Sequence, residues 1–240
     1  MILAALLLAA QDQHLLAIRR ALQNSAASAY SYQVKGRFER AGEWTPDGLL
    51  TSRMKQYQSA RLGERILVKG PEGLWKTPDE RIGEQVEKPD PEAVDIVRTL
   101  SGAEPPHRMV ERLLEEVTKG REPEERELEG VLCDRYSLYY AAPGLKEGLQ
   151  KQLDRSIAAG TLPKPDEVRW SSGLKGQLRI YVRKKDRRLW KAVEERSVKI
   201  AYKVPDGPPE VKTYKLEMEL TLGEAAPPAL PPEVLERLSK

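Results

Sequence analysis

Residues 177–204 read QLRIYVRKKDRRLWKAVEERSVKIAYKV and residues 211–222 read VKTYKLEMELTL. In the second stretch Tyr214, Leu216, Met218, Leu220 and Leu222 point one way, and Thr213, Lys215, Glu217, Glu219 and Thr221 the other. This period of two is the signature of a strand with one buried face. The first stretch opens with the same alternation, Leu178, Ile180 and Val182 against Gln177, Arg179 and Tyr181, and resumes as a strand at Leu189 after Lys184-Lys185-Asp186. Pro205-Asp206-Gly207-Pro208 then separates Val204 from Val211. Three long antiparallel strands in succession form a meander with one apolar and one wet face.

Within this meander Trp190, Ala192, Val198, Ile200, Tyr202 and Val204 share a face, but Glu194 and Arg196 fall on it too. Either a bulge shifts the register there or the two charges sit at an opening. A curved sheet with an incompletely filled inner face offers a cavity for a long apolar ligand, with helices as its lid. A fully packed core is the alternative, and the residues leave both open.

Upstream, residues 1–10 read MILAALLLAA, too short a run to span a bilayer. They have the apolar region and small-residue cleavage site of a secretory signal, Ala9-Ala10 ahead of Gln11, but lack its basic start. A signal beginning further upstream, an atypical short signal and the first turns of a buried helix all fit. Export is the expectation, with 1–10 as signal peptide and 11–240 as a single α+β domain. No Cys follows the run, which gives lipid anchoring no support.

Leu15, Ile18, Leu22 and Ala26 mark an amphipathic helix over 12–27. Residues 30–40 alternate as a first strand, with Tyr32, Val34, Gly36 and Phe38 on one side, and 49–58, 64–69 and 73–77 follow as shorter strands. From Asp90 the period changes. Ala93, Val94, Ile96, Val97 and Leu100 fit one helix, and Met109, Val110, Leu113, Leu114 and Val117 a second that stops at Lys119-Gly120. Residues 131–140 return to a strand. Leu145, Leu149, Leu153 and Ile157 make a helical insertion near 143–160, and Pro232 starts a last helix expected to close one end of the sheet.

The 40 basic and 37 acidic side chains balance too closely to call for nucleic acid. His14 and His107 have no partner at metal-ligand spacing, and the acidic run from Glu122 to Glu129 lacks the spacing of a calcium loop. There is no phosphate loop and no serine elbow, and the neighbouring carboxylates Glu115-Glu116 and Glu194-Glu195 point apart. Cys133 reads as a packed thiol. No catalysis, cofactor or metal is therefore expected. The basic patch Arg183, Lys184, Lys185, Arg187 and Arg188 at a hairpin tip is either a solvated turn or a contact for anionic headgroups or an acidic envelope partner.

The order of elements resembles a known family. The apolar leader, the N-terminal helix, the strand containing Val34-Lys35-Gly36-Arg37-Phe38, the short strands to Gly73-Leu74-Trp75, the 177–182 strand, its basic turn, Leu189-Trp190-Lys191-Ala192 and a proline-rich exit into a helix are similar to the periplasmic lipoprotein carrier fold. LolA and LolB, the LppX/LprG lipid carriers and the sensor domain of RseB share that fold. The resemblance implies an open antiparallel half-barrel whose concave side is capped by helices and holds acyl chains, for transport or sensing, without catalysis. Phe38, Ile180, Ile200, Tyr202, Leu216 and Met218, each on the apolar side of its strand, are the expected ligand contacts of a monomeric carrier. A solid-core interaction or envelope-stress sensor module with no small ligand is the alternative reading.

Overall fold

The alternation at 177–222 does become the spine of the structure, and the rest of the sheet grows from it on both sides. The computed structural model describes residues 2–36, 39–84, 90–140, 150–151, 153–155, 157–160, 167–170, 175–203, 210–225, 228 and 230–240. Strands β11 (Lys175–Arg183), β12 (Leu189–Lys203) and β13 (Glu210–Glu224) pair antiparallel in sequence order. On one side β11 pairs with β9 (Val131–Tyr140), which also holds β7 (Val117–Gly120) and β8 (Glu124–Leu128). On the other, β13 pairs with β1 (Tyr30–Lys35), and the sheet continues through β2 (Arg40–Trp44), β3 (Leu49–Met54), β4 (Tyr57–Leu62), β5 (Arg65–Lys69) and β6 (Trp75–Lys76). With β10 (Glu167–Trp170) on β12, the described residues form one open antiparallel sheet of 13 strands. The fold is α+β, a half-barrel with helices on its concave face.

Register settles which side chains share that face. One row across the sheet reads Tyr136, Ile180, Ala192, Leu220, Val34 and Arg40. The helices α1 (Ile2–Ala26) and α4 (Pro106–Glu115) cover its apolar part, placing Ile18, Ala21, Leu22, Val110, Leu113 and Leu114 in one core with it. Helix α3 (Pro91–Ser101) covers the neighbouring wing, where Ala93, Ile96, Val97 and Leu100 meet Met54, Tyr57 and Val68. Asp90 caps α3 by accepting from the amides of Glu92 at 3.0 Å and Ala93 at 3.2 Å, ahead of a proline in the first turn. The C-terminus of α1 is tied to the sheet by Trp44 Nε1, which donates to Ala26 O at 3.0 Å, and by Ser25 Oγ, which accepts from Leu189 N at 2.9 Å.

Several boundaries differ from the sequence expectation. The strand read over 30–40 is a hairpin, because Val34 pairs with Arg40 and the chain turns between them. The 49–58 strand likewise folds back at Lys55, which takes a left-handed φ of 52° although it is not glycine. Helix α4 stops at Glu115, and Lys119-Gly120 ends strand β7 rather than a helix. A short helix α2 (Pro78–Glu84) occupies what reads as a turn. The last helix, α5 (Pro232–Ser239), lies on the outer face rather than at a sheet end, since Val234 and Leu238 pack on Leu49, Ala60 and Leu67, the positions alternate to those under α3. Of the expected 143–160 insertion, residues 150–151, 153–155 and 157–158 are helical and 141–149 lie outside the described residues.

Candidate binding cleft

The helices do not cover the concave face evenly. Between the core under α1 and α4 and the cluster under α3, at the end where β1–β2 and β3–β4 turn, lies an open cleft of about 840 Å³. Met54, Ala41, Pro91 and Ile96 give it apolar walls, and Arg40 projects into it. Its rim carries Gln33, Glu39, Arg53, Asp95 and the ion pair of Lys55 with Glu92. The volume is of the size that small-molecule sites have. Arg40 is 8% exposed, and its Nη2 donates to Glu104 O at 3.4 Å and Met109 Sδ at 2.8 Å.

A second cleft, about 570 Å³, opens beside Gly36 and is lined by Leu216 and Met218 with Lys35, Val193 and Lys215. These two expected contacts are brought together. Met218 packs against the main core and Leu216 is 40% exposed. Ile180 lies within that core at 0% exposure. Ile200 is buried too, but it stands eight residues beyond Ala192 on β12, about 26 Å along the strand. Phe38 lies outside the described residues, and of Tyr202 only the backbone is described, paired with Val168 and Glu210.

The charges flagged on the apolar face are there without a bulge. Met218 faces Glu194, and Leu216 faces Arg196, in an unbroken β12–β13 ladder. Glu194, 4% exposed, accepts from Tyr140 Oη and from Arg196 Nε at 2.6 Å, and Arg196 also reaches Glu116 at 3.9 Å. The Tyr140 ring crosses Gly176 to make its bond, occupying the space a Cβ would need there. Burial and the Glu194 carboxylate push the Tyr140 hydroxyl well above its ordinary range, so it stays a donor. The pair is thus solvated by the protein itself.

Other sequence candidates acquire structural partners. His107 is buried, its Nδ1 shares a hydrogen bond of 2.7 Å with Tyr30 Oη, and Trp44 packs edge-on at 5.0 Å. Burial, with Arg108 nearby, holds its pKa down at about 4. Cys133 is buried, and burial raises its thiol. The basic tip is largely neutralised: Lys184 pairs with Glu125 and Asp134, Arg187 with Asp134 at 2.6 Å, and Arg183 and Arg188 with Asp186 at 2.7 and 2.6 Å. Lys185 alone of the five makes no ion pair among the described residues. The acidic run supplies part of this counter-charge. Arg40 escaped the sequence reading, although a charge at the parity of Tyr32 and Val34 is the same signal that drew attention to Glu194.

No described helix is long and apolar enough to cross a membrane. No family model matches the chain, and no curated protein matches it. Among solved structures the chain is similar to the Mycobacterium tuberculosis lipoprotein LppX, at 11% identity over 90% of this chain and 96% of that one, with a TM-score of 0.43. It is also similar to LprF from Mycobacterium bovis, at 10% identity over 90% of this chain and 95% of that one, with a TM-score of 0.38.

Proposed function

We propose that this chain is an exported, non-catalytic binding protein that holds a hydrophobic ligand, an acyl chain or its equivalent, on the concave side of its sheet for transport or sensing. The observation that carries the reading is the cleft of about 840 Å³ between α3 and the sheet, where the helical cover stops short and Ala41, Met54, Pro91 and Ile96 supply an apolar part to a largely polar lining. Leu216 and Met218 extend apolar surface at the second cleft, and Ile180 supports the face from within the core. The apolar run at 1–10 supports export. Native mass spectrometry of protein purified without detergent from the exported fraction, followed by lipid extraction, tests it. A co-purifying acyl species of defined mass is expected. Clean apo protein that takes up no lipid on addition would overturn the proposal.

One observation favours the second reading, a solid-core interaction module. Leu138, Leu178, Ile180, Ala192 and Leu220 are all 0% exposed, so the middle of the concave face is already filled by α1 and α4. A ligand would then be confined to the clefts, and Met218→Asp tests whether the second takes part. It places a second carboxylate opposite Glu194 at the edge of the filled region. A folded Met218→Asp protein with lipid uptake unchanged would remove the second cleft from the site.

A further inference from the structure

We infer that the larger cleft takes an amphipathic ligand whose anionic oxyacid group, a carboxylate or a phosphate monoester, is held by the Arg40 guanidinium while its apolar chain lies over Met54 and Ile96. This rests on the binding function proposed above and specifies the ligand class for the same site.

Arg40 contrasts with the buried Arg81 and with the half-buried Arg61, whose Nε also lacks a partner among the described residues. Arg81 is 4% exposed and fully provided for: it pairs with Glu72 and Glu84, and its Nε donates to Val68 O at 3.1 Å. Arg61 donates to Ser101 O at 3.2 Å and Ala103 O at 2.9 Å, at the C-terminal end of α3 where carbonyls gather negative charge. Arg40 is 8% exposed, yet it has one carbonyl and one thioether, both on Nη2, and among the described residues no carboxylate within ion-pair distance. A buried charge without a counter-charge is costly. Its Nε and Nη1 donate to no described protein group, and the side chain lines the cleft. Each can donate singly to an oxyanion oxygen entering the cleft, while Nη2, which belongs to both bidentate faces of the guanidinium, is held by the protein.

The carboxylates nearby do not fill the role. Glu92 is engaged with Lys55, and Glu39 accepts from Gln33 Nε2 at 2.9 Å. With Asp95 they stand exposed at the rim, where water screens them from a guanidinium buried below. Met54 and Ile96 line the cleft beside the guanidinium, so a free inorganic anion would leave that apolar wall unused.

Displacement of the neutral dye Nile red distinguishes the sources. Palmitate and hexadecyl phosphate are expected to bind at least about tenfold more tightly than methyl palmitate. In Arg40→Met the two acids should fall to the level of the ester, with the ester unchanged. If inorganic phosphate binds the unmodified protein as tightly as hexadecyl phosphate, the site is for a free anion and the inference is overturned. Equal binding of acid and ester by the unmodified protein also overturns it, while leaving the binding function in place, and needs no variant to fold. If neither the dye nor any lipid binds, the binding function itself has failed.

Discussion

Glu194 and Arg196 occupy two positions that an uninterrupted apolar wall would give to hydrophobes, and their cost is met by each other, Tyr140 and Glu116. Removing Glu194 leaves the part-buried Arg196 with only Glu116 at 3.9 Å among the described residues and strips Tyr140 Oη of its acceptor. Glu194→Ala should therefore cost about 3–5 kcal/mol in urea unfolding. Replacing both, as Glu194→Leu with Arg196→Met, should recover most of that loss, because apolar residues of similar volume substitute well for a buried pair. Equal losses in the single and double variants would show that the charges matter through something other than their pairing. His107 provides a different residue-scale test. Its folded pKa of about 4 lies below the ordinary 6.5, so as pH falls the unfolded chain takes up a proton first. The stability associated with neutral His107 is whole above pH 6.5 and lost as pH falls through 4. The melting temperature of the unmodified protein should drop more steeply from about pH 7 to about pH 5 than that of His107→Gln, and parallel curves would exclude His107 from the response.

At the scale of elements, α3 decides whether the cleft exists, since it forms the wall opposite the sheet. Its start is set by one side chain. Asp90→Ala should cost about 1 kcal/mol by chemical denaturation, whereas Asp90→Asn, which keeps the acceptor, should cost much less. The apolar spacing of Ala93, Ile96, Val97 and Leu100 was legible in the sequence, as were β11 to β13, because each is a local periodicity. The hairpin at 34–40 was not, because the alternation of Tyr32, Val34 and Gly36 runs straight into the turn without a break. Nor was the reversal at Lys55-Gln56, where neither residue signals a turn and only the backbone at Lys55 reveals it. The charges on the inner face could be assigned from parity within one strand. Their distances to one another, and the lack of an ion pair for Arg40 among the described residues, depend on register between strands and on helices contributed from elsewhere in the chain.

At the scale of the whole molecule, the sheet carries two unlike regions. The body, from β9 through β13, has its inner face filled by α1 and α4, whereas the wing from β3 to β5 is held between α3 on one face and α5 on the other. The proposed ligand lies at the seam between them, at Arg40 of β2, and touches the wing through Met54 and Ile96. Binding stabilises whatever it contacts relative to open states. Amide hydrogen exchange with and without hexadecyl phosphate should thus show added protection in β2, the β3–β4 turn and the first turns of α3, with β9 and β11 unchanged because their face is already closed. Protection centred instead on β9, β11 and the middle of β12 would mean that lipid displaces α1 or α4 and enters the filled core. The cleft at Arg40 would then be a surface feature, and the ligand chamber would be one that opens only when the helices move.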